Sequence, residues 1–160
     1  MARWNKDTNI RNAGHWLAHK IELIELKEKQ ISSGKKITAL RGAIYNVELG
    51  MDNIGSEKNK KRPCLVISNN KLNSGDTVIV IPLSTHFPNI VNTTTGEMTP
   101  RYKNHFILHT STYPFLSKDS AVKCEDIRVI DKIRLCELLG NLSPADLNKI
   151  KNCLRYSLDF

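Results

Sequence analysis

Arg62 stands where a polar, basic loop becomes an apolar run: Lys58, Lys60 and Lys61 precede it and Pro63-Cys64-Leu65-Val66-Ile67-Ser68 follows. A guanidinium at such a junction presents a rigid fork of N–H donors that suits a phosphate or a carboxylate. Glu57 lies upstream in Gly55-Ser56-Glu57. Its carboxylate could take or pass a proton beside Arg62, or simply pair with it. Ser84 closes the most apolar run of the chain, Thr77-Val78-Ile79-Val80-Ile81-Pro82-Leu83. Its hydroxyl could hold an oxyanion, a role that Thr85 could share, or bond its own backbone at a strand end. His86 follows, and an imidazole there could act as an acid or a base. The basic stretch Lys58, Lys60, Lys61 reads either as a phosphate track or as a solvated loop.

Other chemistries find no support. His15 and His19 share a helix face, but no third ligand is in sight, and they read as ordinary helix residues; His105 and His109 bound a strand. Cys64, Cys124, Cys136 and Cys153 form no CxxC pair and no zinc-like spacing with His, so they read as free thiols in a reducing compartment, and no metal or other cofactor is expected. No GxGxxG or GxxxxGK[ST] segment occurs, which argues against dinucleotide and nucleoside triphosphate use. The formal net charge of +8 favours polyanionic partners, nucleic acid first. No apolar stretch is long enough for a membrane span, and MARWNKDTNIRNAGHW has no apolar secretory core, so a cytoplasmic location is expected.

The chain changes character near residue 40. Leu17, Ile21, Ile24 and Ile31 recur at helical spacing, widened by Trp16, Leu23 and Leu26, and predict an amphipathic helix over 15–31 that ends at Gly34. Trp4 and Trp16 are candidate apolar anchors of this extension. Beyond it, 42–49, 63–68, 77–83, 105–108 and 121–130 read as strands. Residues 86–104 read as a long polar loop. Ser143-Pro144-Ala145-Asp146 opens a closing helix, with Ser143 as N-cap and Leu147, Ile150, Leu154 and Leu158 facing inward. The fold class is therefore α+β, mainly β. A compact antiparallel, barrel-like sheet with a C-terminal helix is expected over 41–160, and an N-terminal helical extension over 1–40.

The ordered segments Gly55-Ser56-Glu57, Lys61-Arg62-Pro63-Cys64-Leu65-Val66-Ile67-Ser68-Asn69, Thr77 to Ser84, Lys118 to Val122, Glu125 to Lys132 and Gly140-Asn141-Leu142-Ser143 resemble the MazF/PemK toxins of bacterial toxin–antitoxin modules. The resemblance spans 41–160 and leaves 1–40 outside. It implies an SH3-like barrel and a homodimer with RNA in an interfacial groove. It also implies a cognate antitoxin that blocks the groove. The implied activity is metal-independent, sequence-specific cleavage of single-stranded RNA through attack by the 2′-hydroxyl. On that basis Arg62, Ser84 and Glu57 become the expected catalytic residues. Ser56, Lys58, Lys60, Lys61, Thr85, His86 and Asp126 become RNA contacts, and Arg128 a residue that fixes the sheet or the dimer. Ser84 stands where the family has a threonine, Lys58 where it has a glutamine, and Asp126 where a glutamine is frequent. The alternatives are a CcdB-like toxin that binds DNA gyrase and cuts nothing, and an inactive RNA-binding relative; fold alone does not separate them.

Overall fold

A computed structural model describes residues 5–51 and 53–160, so Trp4 lies outside the described residues. The first element is α1 (Lys6–Ser33), longer than the periodicity predicts because Asn5 caps it: the Asn5 side chain accepts from the Thr8 N–H at 2.9 Å. Gly34 ends it in the left-handed conformation at φ 65°, as expected. The apolar stripe is a correction. Leu17, Ile21, Ile24 and Ile31 are exposed, and the helix docks through Trp16 and Leu23. Those two sit on the neighbouring stripe with Lys27. The Lys27 ammonium bridges Asp76 and Asp131 at 3.2 Å each. Arg134 lies over the Trp16 ring, 5.5 Å from its centroid.

The strands are β1 (Ala43–Glu48), β2 (Lys61–Val66), β3 (Thr77–Ser84), β4 (Asn89–Val91), β5 (Met98–Pro100), β6 (His105–Leu108), β7 (Ser120–Lys123), β8 (Arg128–Asp131) and β9 (Leu135–Asn141), and α2 (Pro144–Leu158) closes the chain. Seven strands form one antiparallel sheet in the order β6-β7-β3-β2-β1-β9, with β8 also on β3. Strand β3 pairs with β2 and, in addition, serves two further neighbours: its first half pairs with β8 and its last two residues with β7. The sheet does not close into the expected barrel. Its end strands β6 and β9 are not paired with each other, and β9 meets β1 through irregular register shifts. Helix α2 packs against β6, with Ile150 fully buried among Leu108, Val122 and Cys124.

Three further expectations are corrected. The 121–130 run is two strands, because the chain makes a short 3-10 turn over Cys124–Asp126 that redirects it. The long loop after Ser84 carries the β4–β5 hairpin. Leu158 is half exposed rather than facing inward, while Ile150, Leu147 and Leu154 do pack on the core.

Both faces of the central strands are buried. Leu65, Ile81 and Leu83 join Ile44 and Leu108 in one cluster. Cys64, Val66, Val78 and Val80 join Val47 and Ile130 in the other. Alternation along β2 then dictates that Arg62 continues the Cys64–Val66 face, while Lys61 continues the face of Pro63 and Leu65.

Candidate functional site

The loop between β1 and β2 is fixed at its base. Leu49 N–H donates to the Lys60 carbonyl at 3.2 Å and Lys60 N–H to the Gly50 carbonyl at 2.6 Å. Closing this ring requires Lys60 at φ 64°, a conformation uncommon for a side-chain-bearing residue. At the tip, Glu57 folds back on its own turn, its Oε2 accepting from the Ile54 N–H at 3.1 Å. Ser56 is exposed there. The limb near β2 is held by two guanidiniums: Arg62 Nε donates to the Asn59 carbonyl at 2.7 Å, and Arg128 Nη1 to the Lys58 carbonyl at 3.2 Å. Asn53 adds a second donor to that Lys58 carbonyl at 2.9 Å.

Arg62 is therefore not tied to Glu57. Among the described residues neither Arg62 nor Arg128 makes an ion pair within 4.0 Å, and Arg62's terminal amino groups are not spent on the loop. Both guanidiniums lie close enough to Cys64 to pull on its thiol, whose pKa burial nevertheless pushes up to about 12. Cys64 is opposite Pro82 in the β2–β3 ladder, so Arg62 and Ser84 stand at matching positions beyond that rung, at the same end of the sheet. Ser84 is buried, and its hydroxyl donates to the His86 carbonyl at 2.9 Å while lying 3.3 Å from the His86 N–H. That is the strand-end use of the hydroxyl. It fixes the turn that exposes Thr85 and His86, whose Oγ1 and Nδ1 are 3.3 Å apart.

Beside the loop lies a cavity of about 310 Å³ lined by Glu57, Lys58, Glu125, Asp126, Ile127 and Arg128. Lys58 Nζ is 3.5 Å from Asp126 Oδ2, and Lys123 Nζ is 3.8 Å from the same oxygen. Glu125 is committed elsewhere: its oxygens lie 2.8 Å from His105 Nε2 and 2.8 Å from Asn104 Nδ2. Burial works to raise the Glu125 carboxyl pKa. The hydrogen bonds from His105 and the backbone, with Lys123, outweigh it, so the pKa falls below the usual range.

The structure does not gather every expected residue around this cavity. Lys61 is drawn to β9, its ammonium 3.0 Å from Glu137. Glu137, which also receives its own N–H and the Asn46 amide, has a pKa lowered to about 2. Thr85 lines a separate cavity of about 340 Å³ with Asn46, Pro63, Leu83 and Phe115. Arg62 is attached to the loop wall rather than lining the first cavity. Arg128, read from sequence as fixing the sheet or the dimer, lines the cavity and anchors Lys58. Glu125 and Ile127 also line it and were missed; the signal was the break in alternation at Cys124–Asp126. Among the described residues no group of three or more His, Cys, Asp or Glu side chains is placed to hold a metal ion.

Comparison with known proteins places this arrangement in a family. A family model described as the PemK-like, MazF-like toxin of type II toxin–antitoxin systems matches residues 40–158. The chain belongs to that family. It is 31% identical over 119 residues to Endoribonuclease MazF9 of Mycobacterium tuberculosis, covering 74% of this chain and 95% of that one. It is 33% identical over 119 residues to Endoribonuclease MazF of Staphylococcus epidermidis, covering 74% and 89%. Among solved structures, Deinococcus radiodurans MazF shares the fold with a TM-score of 0.59 at 17% identity, over 78% of this chain and all of that one. A mycobacterial endoribonuclease solved with its cognate antitoxin shares it with a TM-score of 0.56 at 24% identity, over 77% and 97%. No helix among the described residues is long and apolar enough to cross a membrane.

Proposed function

We propose that this chain is the toxin of a type II toxin–antitoxin pair and a sequence-specific endoribonuclease acting on single-stranded RNA in the cytoplasm. The 2′-hydroxyl attacks the adjacent phosphorus in line, leaving a 2′,3′-cyclic phosphate and a 5′-hydroxyl. The observation that carries the reading is Arg62: a guanidinium held by its Nε at a loop–strand mouth, with terminal donors open and no carboxylate partner among the described residues. Such preorganised donors stabilise the charge that develops on a pentacoordinate phosphate. Glu57, exposed beside the cavity, is the proton acceptor for the 2′-hydroxyl. Ser84 holds the turn that presents Thr85 and His86, with His86 as the donor to the leaving 5′-oxygen. Ser56, Lys58, Lys60, Thr85 and Asp126 contact the strand, while Lys61 contributes long-range positive field.

Relatives above 30% identity named as endoribonucleases favour this reading over a gyrase-binding toxin or an inactive relative. The partner is an antitoxin that covers the groove, and the active form is a homodimer. In this reading residues 1–40 are an extension added to the toxin domain. The test is incubation of the purified protein with mixed single-stranded RNA in EDTA. Discrete fragments ending in cyclic phosphate, with DNA untouched for want of a 2′-hydroxyl, support it. Intact RNA with inhibited gyrase overturns it.

A further inference from the structure

We infer that Lys58 and Asp126 form a base-reading pair selective for guanine in single-stranded RNA, an inference that rests on the ribonuclease reading above and names what its cavity takes. The two residues come from different elements, the β1–β2 loop and the turn before β8, yet their charged ends meet at 3.5 Å with only 19% of each side chain exposed. With Lys123 at 3.8 Å the charge of Asp126 is neutralised. Its hydrogen-bonding capacity is not. Both separations exceed the N–H···O range, and Oδ2 is buried without a hydrogen-bond partner among the described residues. A buried acceptor left open is costly to folding, and it calls for a donor from outside the chain, which a water or a ligand can supply.

The other carboxylates of the cavity have other tasks, Glu57 being the base assigned above. Glu125 serves His105 and Asn104, and Glu57 accepts from the Ile54 N–H. With Arg128 spent on the Lys58 carbonyl, the functions left for a base are one ammonium, which only donates, and one carboxylate, which only accepts and can do so twice once Lys58 turns off the covered Oδ2 toward the base. The complementary base edge carries one acceptor beside two donors. Guanine has that Watson–Crick edge: O6 accepts from Lys58, and N1–H and N2–H donate to Asp126. Adenine offers one amino donor beside a lone pair, cytosine one amino group beside two acceptors, and uracil a single N–H between two carbonyls. Each of those leaves a carboxylate oxygen unmet or facing a lone pair. Watson–Crick edges are free in single-stranded RNA, the form in which bases are read this way. Ile127 supplies an apolar wall for the ring, and Arg128 fixes the Lys58 backbone from which the ammonium reaches.

The test uses the full chain and fluorescent uridine-rich oligoribonucleotides carrying one central guanosine, inosine, adenosine or cytidine. Binding by polarisation is measured for wild type, Asp126→Asn and Lys58→Gln, each checked for fold by circular dichroism. Guanosine is expected to bind about tenfold to a hundredfold tighter than adenosine or cytidine. Inosine, which lacks the N2 amino group, falls between. Asp126→Asn, which turns one acceptor into a donor, abolishes the preference, and Lys58→Gln reduces it. Sequenced cut ends from a transcript pool should carry guanine at one fixed position for wild type and lose it in Asp126→Asn. Equal binding of the probes by wild type, or an unchanged guanine preference in a folded Asp126→Asn protein, overturns the inference. Guanine-selective binding without any cutting leaves it standing and removes the nuclease reading alone.

Discussion

Replacing Arg62 by alanine separates the two things its guanidinium does. One is local: Nε holds the Asn59 carbonyl at 2.7 Å and so steadies the loop limb that carries Lys58. A net hydrogen bond of this kind is worth about 1 kcal/mol, which lowers the melting temperature of a chain this size by roughly 2–4 °C. The fold is kept, because neither buried cluster includes Arg62. The other role is in the transition state. Removing a preorganised donor of developing negative charge costs about 10²–10³ in rate. Arg62→Lys is the informative companion, since an ammonium cannot hold Asn59 and reach a phosphate together. It is expected to fall between wild type and alanine in rate. The assay is single-turnover cleavage of a fluorophore–quencher RNA in EDTA, with a thermal melt on the same preparations. A transition-state role lowers kcat far more than it raises KM. If Arg62→Ala cuts at the wild-type rate, or if its loss appears wholly in KM, the reasoning fails.

Three further outcomes follow from the packing and the charges. Gly140→Ala places a Cβ 2.4 Å from the Phe115 ring, so urea unfolding should show a loss of about 1–3 kcal/mol; an unchanged midpoint would mean the ring moves aside freely. Asp119 accepts from the Thr110 N–H and from His109, and these donors hold its pKa at about 2, below the ordinary 3.8. Its contribution is present above the ordinary value and lost as pH falls through about 2. Asp119→Asn should therefore flatten that part of the stability–pH curve relative to wild type, with Glu137 titrating in both. Removing residues 1–34 deletes the Trp16, Leu23 and Lys27 contacts but no member of the two core clusters. The remainder should give a cooperative melt and keep its RNA cutting, and a molten or inactive remainder would show that α1 completes the core.

What could be read in advance was what local chemistry states outright. Ser143-Pro144 announces the start of α2, and the Ser143 hydroxyl accepts from the Asp146 N–H at 3.1 Å. The β-branched run of β3 could be nothing but a buried strand. Edges and breaks were hidden. Strand β9 carries Glu137 in mid-strand and meets β1 irregularly, so no clean alternation marks it. The Cys124–Asp126 turn interrupts a strand-like run at a lapse in alternation too short to stand out, and tertiary contact sets the break: the Cys124 N–H bonds the Asn104 carbonyl at 3.2 Å. On α1 two apolar stripes compete. The richer one is exposed, and the buried one is chosen by what faces it, Arg134 over Trp16 and the acids around Lys27. The place of Arg62, at a junction of loop and strand, was legible from residue types. The meeting of Lys58 with Asp126 was not, since it depends on two distant segments converging.

Proline placement in the central strands has a further consequence. Pro63 is opposite Asn46, and Pro82 is opposite Cys64. Sliding β2 by one residue along β3 would turn every side chain of β2 through the sheet and carry Arg62 to the opposite surface. In one direction that slide sets Pro63 against Pro82, two residues with no N–H to give. In that direction the rings thus act as a stop that keeps the guanidinium on its side. The loop ahead of them is free to change length and composition, and with them the choice of substrate, without the chemistry changing sides.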